Sequence, residues 1–279
     1  MFEAEFAGKL PELRSREDYL TSCFFGALKY LPPNDGLFPL LNRSFNYRLG
    51  ITLEKYLEIQ GVELASFHEA QVHFWPRSST YGEPDLVIIV QGTPGSFIIP
   101  VEVKYFSSKH GDKEEDQLTR YYKALGTVEG RKTFNIEAIR EFTGDLLAFV
   151  YVTQFEAELE IEETLGVLES NGLSCAQDKF FHLRWQEMSK IIEAKLSKEH
   201  DAYRKAIYTD IRELMVFKNL LPFRQFSKLP SGLSAELLSQ FPVFLYLQDP
   251  EGGPFFNGFP EIPKSLRLEY GTSIYYGGT

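Results

Sequence analysis

The stretch Glu83–Lys104 constrains the fold more than any other part of the chain. It reads Glu-Pro-Asp-Leu-Val-Ile-Ile-Val over 83–90, a Gly/Pro-containing cluster over 91–96, and Phe-Ile-Ile-Pro-Val-Glu-Val-Lys over 97–104. Two apolar, β-branched runs around a turn cluster predict a hairpin. Folding symmetrically about Thr93–Pro94 sets Asp85 opposite Glu102, with Cβ atoms about 5 Å apart. Glu102 and Lys104, two residues apart on a strand, share a face. Paired carboxylates at apolar strand ends repel and are costly to desolvate unless a cation neutralises them. Oxygen ligands on a rigid strand pair suit Mg²⁺, which takes one or two carboxylates and keeps water on the rest of its shell. Lys104 beside them is placed to orient or deprotonate a water, or to offset charge building on a phosphate. Taken singly, each acid reads as an ordinary polar residue at a strand end; the combination is what points to chemistry.

That combination resembles the PD-(D/E)XK nuclease superfamily, whose motif Pro84-Asp85 and Glu102-Val103-Lys104 match as written. The resemblance implies a restriction-endonuclease-like core: an α/β fold with a central mixed β-sheet flanked by helices. It also implies Mg²⁺, or Mn²⁺ in its place, held by Asp85, Glu102 and the Val103 carbonyl, with Lys104 positioning the attacking water. The activity implied is hydrolysis of phosphodiester bonds, in DNA more than RNA, in settings such as phage defence or restriction. Many members place a glutamate on a helix ahead of the sheet, reaching the metal. Glu17 is the candidate here as a catalytic and metal-binding residue, with Asp18 second; Glu17 also reads as a partner for a helix dipole. Downstream, Gln117, Arg120 and Tyr121 stand at i, i+3 and i+4, on one face of a helix. They resemble the Gln-x-x-x-Tyr helix that packs beside the metal site in nuclease-like subfamilies. In that comparison Gln117 supports the Lys104 region or contacts the scissile strand, and Tyr121 supports the backbone contact.

Around the hairpin the pattern predicts alternating helices and strands. Ser15 reads as the N-cap of a helix running to about Leu31, where Pro32-Pro33 stops it. A short helix is expected over Thr52–Gln60, capped by Thr52 and ended by Gly61. Glu63–Trp75 alternates as a strand; Glu69 on it is a further acidic candidate, while His68 and His73 read as structural. Arg77, in the loop leading to Asp85, is open to phosphate contact or solvent. Asp112 is expected to cap the helix that carries Gln117. A helix over 135–142, a buried strand over 145–153, a strand over 178–185 and a long helix over 190–221 follow. This gives a nuclease-like core over 1–190, then a helical extension and irregular aromatic-rich tail over 191–279, with a strand near 242–247, packed on the core.

Net charge decides less than the motif does. At −10, the chain lacks the bulk positive charge that grips phosphate nonspecifically. The most basic part is 190–228, with nine Lys/Arg against five acids; the most acidic is 156–169, read as a solvated face. A nucleic-acid-binding or complex-forming module that does not cut is therefore the alternative to a nuclease. Nucleic acid is the expected partner, with a homo-oligomer or partner protein also open. No apolar run approaches the length of a membrane span. An acidic N-terminus and two widely spaced cysteines, Cys23 and Cys175, lead to the expectation of a cytoplasmic protein with free thiols and no membrane partner.

Overall fold

The computed structural model describes residues 17–62, 66–93, 95–105 and 116–222. The chain through Phe223 forms one compact unit; the second unit, 224–279, lies outside the described residues, and with it the expected tail and its strand. The expected caps Ser15 and Asp112 also lie outside them. In chain order the elements are α1 (Glu17–Leu28), α2 (Leu37–Leu41), β1 (Phe45–Asn46), β2 (Ile51–Thr52), α3 (Leu53–Ile59), β3 (Phe67–Phe74), β4 (Leu86–Gly92) and β5 (Gly95–Val103). Then come α4 (Gln117–Leu125), α5 (Val128–Arg131), α6 (Glu137–Arg140), β6 (Asp145–Leu146), β7 (Phe149–Thr153), α7 (Glu158–Ser170), β8 (Phe180–Arg184), α8 (Trp185–Lys198) and α9 (Ala202–Phe217).

The fold is α/β: a mixed, open sheet flanked by helices. Among the described residues the sheet has eight strands in the order β2-β1-β8-β7-β5-β4-β3, with β6 also paired to β5. Strands β5, β7 and β8 run parallel, and the β3–β4–β5 meander is antiparallel. The period-2 rule then sorts the side chains of the hairpin into two cores. Leu86, Ile88, Val90, Ile99, Val101 and Val103 face α1, α8 and α9 in one cluster. Val87, Ile89 and Ile98 face α4 and α7 in the other. Asp85, Glu102 and Lys104 share the parity of this second face.

Several boundaries differ from the sequence expectation for local reasons. Helix α4 is capped by Asp116, whose carboxylate accepts from Thr119 N at 2.7 Å and from the Thr164 hydroxyl at 2.7 Å. The long helix expected over 190–221 is two helices. Glu199 is extended, and Asp201 starts α9 anew by accepting from Arg204 N at 2.9 Å. Their apolar faces, with Ile192, Tyr208, Ile211 and Leu214 fully buried, belong to the α1-side core. The acidic stretch expected as a solvated face is α7, which buries Ile161, Leu165 and Leu168. Cys23 is buried in the α1-side core.

Candidate active site

The hairpin register is the symmetric one. Leu86 faces Val101 and Gly92 faces Gly95, which carries the pairing on to Asp85 and Glu102. Asp85 is held by two bonds of different kinds. Its Oδ2 accepts from Val103 N at 2.8 Å, and its carbonyl accepts from Trp75 N at 3.0 Å. Trp75 turns with φ +46°, so the chain swings out of β3 at the point where it braces Asp85. The loop that follows depends on Gly82, at φ +98°, where a Cβ would also meet the Tyr121 ring at 3.4 Å.

Glu102 and Lys104 form the core of the site. Lys104 Nζ lies 2.9 Å from Glu102 Oε1 and 3.1 Å from Glu17 Oε1. The other Glu17 oxygen accepts from Tyr105 N at 2.8 Å. Lys104 is fixed along its backbone as well: its N–H donates to Val152 at 2.7 Å, and its carbonyl accepts from the Trp185 indole at 3.0 Å. Asp85, Glu102 and Lys104 are 8%, 2% and 3% exposed, so the charges have little water to screen them. Among the described residues, the two buried carboxylates therefore meet one buried ammonium, and with all three ionised the negative charge is in excess.

The electrostatics follow from that imbalance. Burial, then the Glu102 charge, pushes the Asp85 carboxyl up to about 8 against the bond from Val103 and the charge of Lys104. Burial likewise raises Glu102, opposed by Lys104. For Lys104 burial works against the charged form, but Glu102, Glu17 and Asp85 outweigh it and raise its pKa. In this arrangement Lys104 stays protonated: a donor and a point charge, not a base.

The structure brings Gln117 to the same face through Tyr121. Gln117 hydrogen-bonds Tyr121, whose hydroxyl donates to the Glu83 carbonyl at 3.0 Å. Burial and then the Glu102 charge raise the Tyr121 phenol to about 12. The motif thus acts on the Glu83–Pro84 segment that carries Asp85. Asp18 is exposed on α1 and Arg77 is exposed in its loop. Glu69 pairs across from Gln91, toward the turn end of the hairpin, about 20 Å along the strand from Asp85. Its carboxylate accepts from Gln71 Nε2 at 2.8 Å, and it is not part of the cluster.

Tyr151 and Trp185 complete the surroundings, and neither was visible in the sequence. Tyr151 is the register partner of Glu102 on β7; it is fully buried and donates to Glu160 Oε2 at 2.6 Å. Their roles depend on which strand lies beside β5, and local patterning does not encode that. All of these groups gather at the carboxyl ends of the parallel strands β5, β7 and β8, where open α/β sheets place their ligands. An apolar cleft of about 250 Å³, lined by Phe25, Leu28, Pro33, Leu37 and Val72 among others, lies at the opposite end of α1. Lys29 and Tyr30 also line it, with no carboxylate among its lining residues.

The donor set fits a hard divalent cation. Asp85 and Glu102 supply two carboxylates, the number Mg²⁺ commonly takes, and Glu102 Oε2 is buried without a hydrogen-bond partner. Among the described residues no three His, Cys, Asp or Glu side chains are grouped to hold a metal. Glu17 is turned to Lys104 and Tyr105, which leaves Asp85 and Glu102, with the Val103 carbonyl on the residue between Glu102 and Lys104, as the oxygens that could hold one.

The chain matches no protein-family model, no curated protein and no solved structure. Among the described residues no helix is long and apolar enough to cross a membrane.

Proposed function

We propose that this protein is a metal-dependent nuclease of the PD-(D/E)XK type, hydrolysing phosphodiester bonds in DNA. The observation that carries the proposal is the charge deficit at the carboxyl end of β5: two buried carboxylates, Asp85 and Glu102, beside one buried lysine among the described residues. A divalent cation matches that deficit. Asp85 and Glu102 are its ligands, with the Val103 carbonyl. Bound there, Mg²⁺ or Mn²⁺ supplies Lewis-acid polarisation of a phosphoryl oxygen.

The protein groups divide the remaining work. Lys104, kept protonated by its carboxylate neighbours, donates to the attacking water or to a phosphate oxygen and offsets the charge that develops there. Glu17 holds the ammonium in place. Gln117, through Tyr121, fixes the Glu83–Pro84 segment and so the direction of Asp85. A role in phage defence or restriction fits the resemblance.

A non-cutting nucleic-acid-binding or complex-forming module is the second reading; the net charge of −10 favours its complex-forming version, in which a partner supplies the grip on phosphate. The basic helices do not make up the missing grip. Lys195 and Arg204 pair with Asp35, Lys190 pairs with Glu187, and Lys218 is buried over the Tyr19 ring. These cations are partly spoken for within the protein.

The deciding assay incubates plasmid, linear and single-stranded DNA, and RNA, with Mg²⁺, Mn²⁺ or chelator. Asp85→Asn and Glu102→Gln are run beside the wild type. Metal-dependent products from the wild type, lost in both variants, are expected. Gel retardation without product at any metal concentration establishes the second reading. Undiminished cleavage by both variants overturns the site assignment.

A further inference from the structure

A second buried polar cluster lies two strands away from Glu102 and takes no part in the chemistry above. Its centre is His182 on β8, 4% exposed, the register partner of Tyr151. The imidazole stacks on the Tyr47 ring, with centroids 5.6 Å apart. Tyr47 Oη lies 2.6 Å from His182 Nδ1 and donates to Glu156 Oε2 at 2.7 Å. On the other side, Thr153 Oγ1 lies 2.7 Å from His182 Nε2 and donates to the Phe155 carbonyl.

Counting hydrogens around this ring gives an odd result. The Tyr47 oxygen also accepts from Ala157 N–H, and its single hydrogen is committed to Glu156. Its close contact with Nδ1 therefore needs Nδ1 to be the donor. Nε2 faces Thr153 Oγ1, and the ring also meets the Phe155 carbonyl, which carries no hydrogen. With the Thr153 hydrogen spent on Phe155, Nε2 must donate too. A neutral imidazole has one N–H and leaves one contact as two facing lone pairs. Moving the extra hydrogen to Glu156 is opposed by Arg184, which is ion-paired to that carboxylate.

We infer that His182 is a proton-closed latch: the Glu156–Tyr47–His182–Thr153–Phe155 chain is complete when the ring carries both hydrogens, and it opens at one contact when the ring is neutral. The segment it closes is 153–157, which joins β7 to α7. That segment follows Val152, whose carbonyl holds Lys104 N–H. The latch thus sits on the strand that braces the lysine, though it does not depend on the nuclease reading. The charged and titratable groups facing it are Glu156 and Arg184 at its rim, Tyr47 on the β1 side, and Tyr151 with Glu160 behind it on the β7 side. Burial and Arg184 lower the His182 pKa, and the Glu156 charge and the Phe155 carbonyl raise it. The balance, with burial largest, pushes the ring's pKa down to about 4. The closed chain demands the opposite.

The test is side-chain NMR of His182 in the full-length protein between pH 4 and 8, with Tyr47→Phe as the comparison. The latch predicts a doubly protonated ring with a midpoint above that of Tyr47→Phe by about one pH unit, the worth of one hydrogen bond to a charged group. Amide exchange at Phe155, Glu156 and Ala157 should slow about tenfold as the ring takes up its proton in the wild type, and not in the variant. Equal midpoints in the two proteins overturn the inference. So does a ring that stays neutral to pH 4 while exchange over 155–157 is flat. Should Tyr47→Phe not fold, Thr153→Val removes the hydroxyl at Nε2 and is held to the same midpoint and exchange criteria.

Discussion

Two sets of acidic residues behave in opposite ways. On and beside α7, Glu156, Glu160, Glu162 and Glu169 outnumber those of the hairpin. Yet none lacks a partner: Glu156 has Tyr47 and Arg184, Glu160 has Tyr151, and Glu162 and Glu169 share the guanidinium of Arg48. Most stand at a half-exposed surface where water screens what remains. At the hairpin, the buried acids Asp85 and Glu102 have one buried cation beside them among the described residues, Lys104. The number of acids in a stretch therefore says little about chemistry. What separates the two sets is the ratio of acids to partners, together with the dielectric around them.

The largest expected difference is in activity. Asp85→Asn and Glu102→Gln should each lower metal-dependent cleavage by 100-fold or more, roughly the loss of one strong electrostatic contact to the transition state. Glu162→Gln should leave the rate unchanged in the same assay. Equal losses in both sets would erase the comparison.

Stability should separate them next. Lys104→Met leaves Glu102 buried without its cation, and breaking a buried pair costs about 3–5 kcal/mol. Urea unfolding checks this. Lys104→Ala carries the same penalty, so it is a poorer probe of catalysis than Asp85→Asn, which keeps an acceptor for Val103 N–H.

The pH dependence sharpens the contrast. Asp85 has a folded pKa raised to about 8, above its unfolded value, so its contribution is fully present below about pH 4 and lost as pH rises through 8. In chelator, thermal unfolding should shift downward between pH 5 and 8 by an amount on the order of a few kcal/mol. Asp85→Asn should flatten that slope. Saturating Mg²⁺ should raise stability at pH 8, by about 2.7 kcal/mol at 100 times its Kd. A metal-free protein whose stability does not fall over that range would remove the basis for treating the pair as strained.

The smallest effect belongs to α7. Arg48→Ala breaks ion pairs with Glu162 and Glu169 at a partly exposed site and should cost no more than about 1 kcal/mol. Added salt should shrink that cost further. A larger loss would mean these surface acids behave like the buried ones.

Much of the site was legible because it is local. The hairpin from Asp85 to Lys104 is a run of β-branched residues around a turn, and strand alternation plus a symmetric turn set its register without help from the rest of the chain. The Thr52 cap, the α1 stop at Pro32-Pro33 and the Gln117–Tyr121 spacing are local in the same sense. The helical nature of α7 was hidden under its charge. The break at Glu199–Asp201 was hidden because an aspartate cap inside an apolar periodicity looks like one more polar residue.

The sequence by itself determined that two carboxylates and a lysine stand on neighbouring strands, because periodicity and turn symmetry act over about twenty residues. Only the tertiary structure decided what those groups experience. The parallel pairing of β5 with β7 brings Tyr151 beside Glu102, α8 brings Trp185 onto the Lys104 carbonyl, and α1 delivers Glu17 to Lys104 from 87 residues upstream. Charge balance in a low-dielectric site is a sum over everything nearby in space, and those neighbours are set by the packing of distant elements.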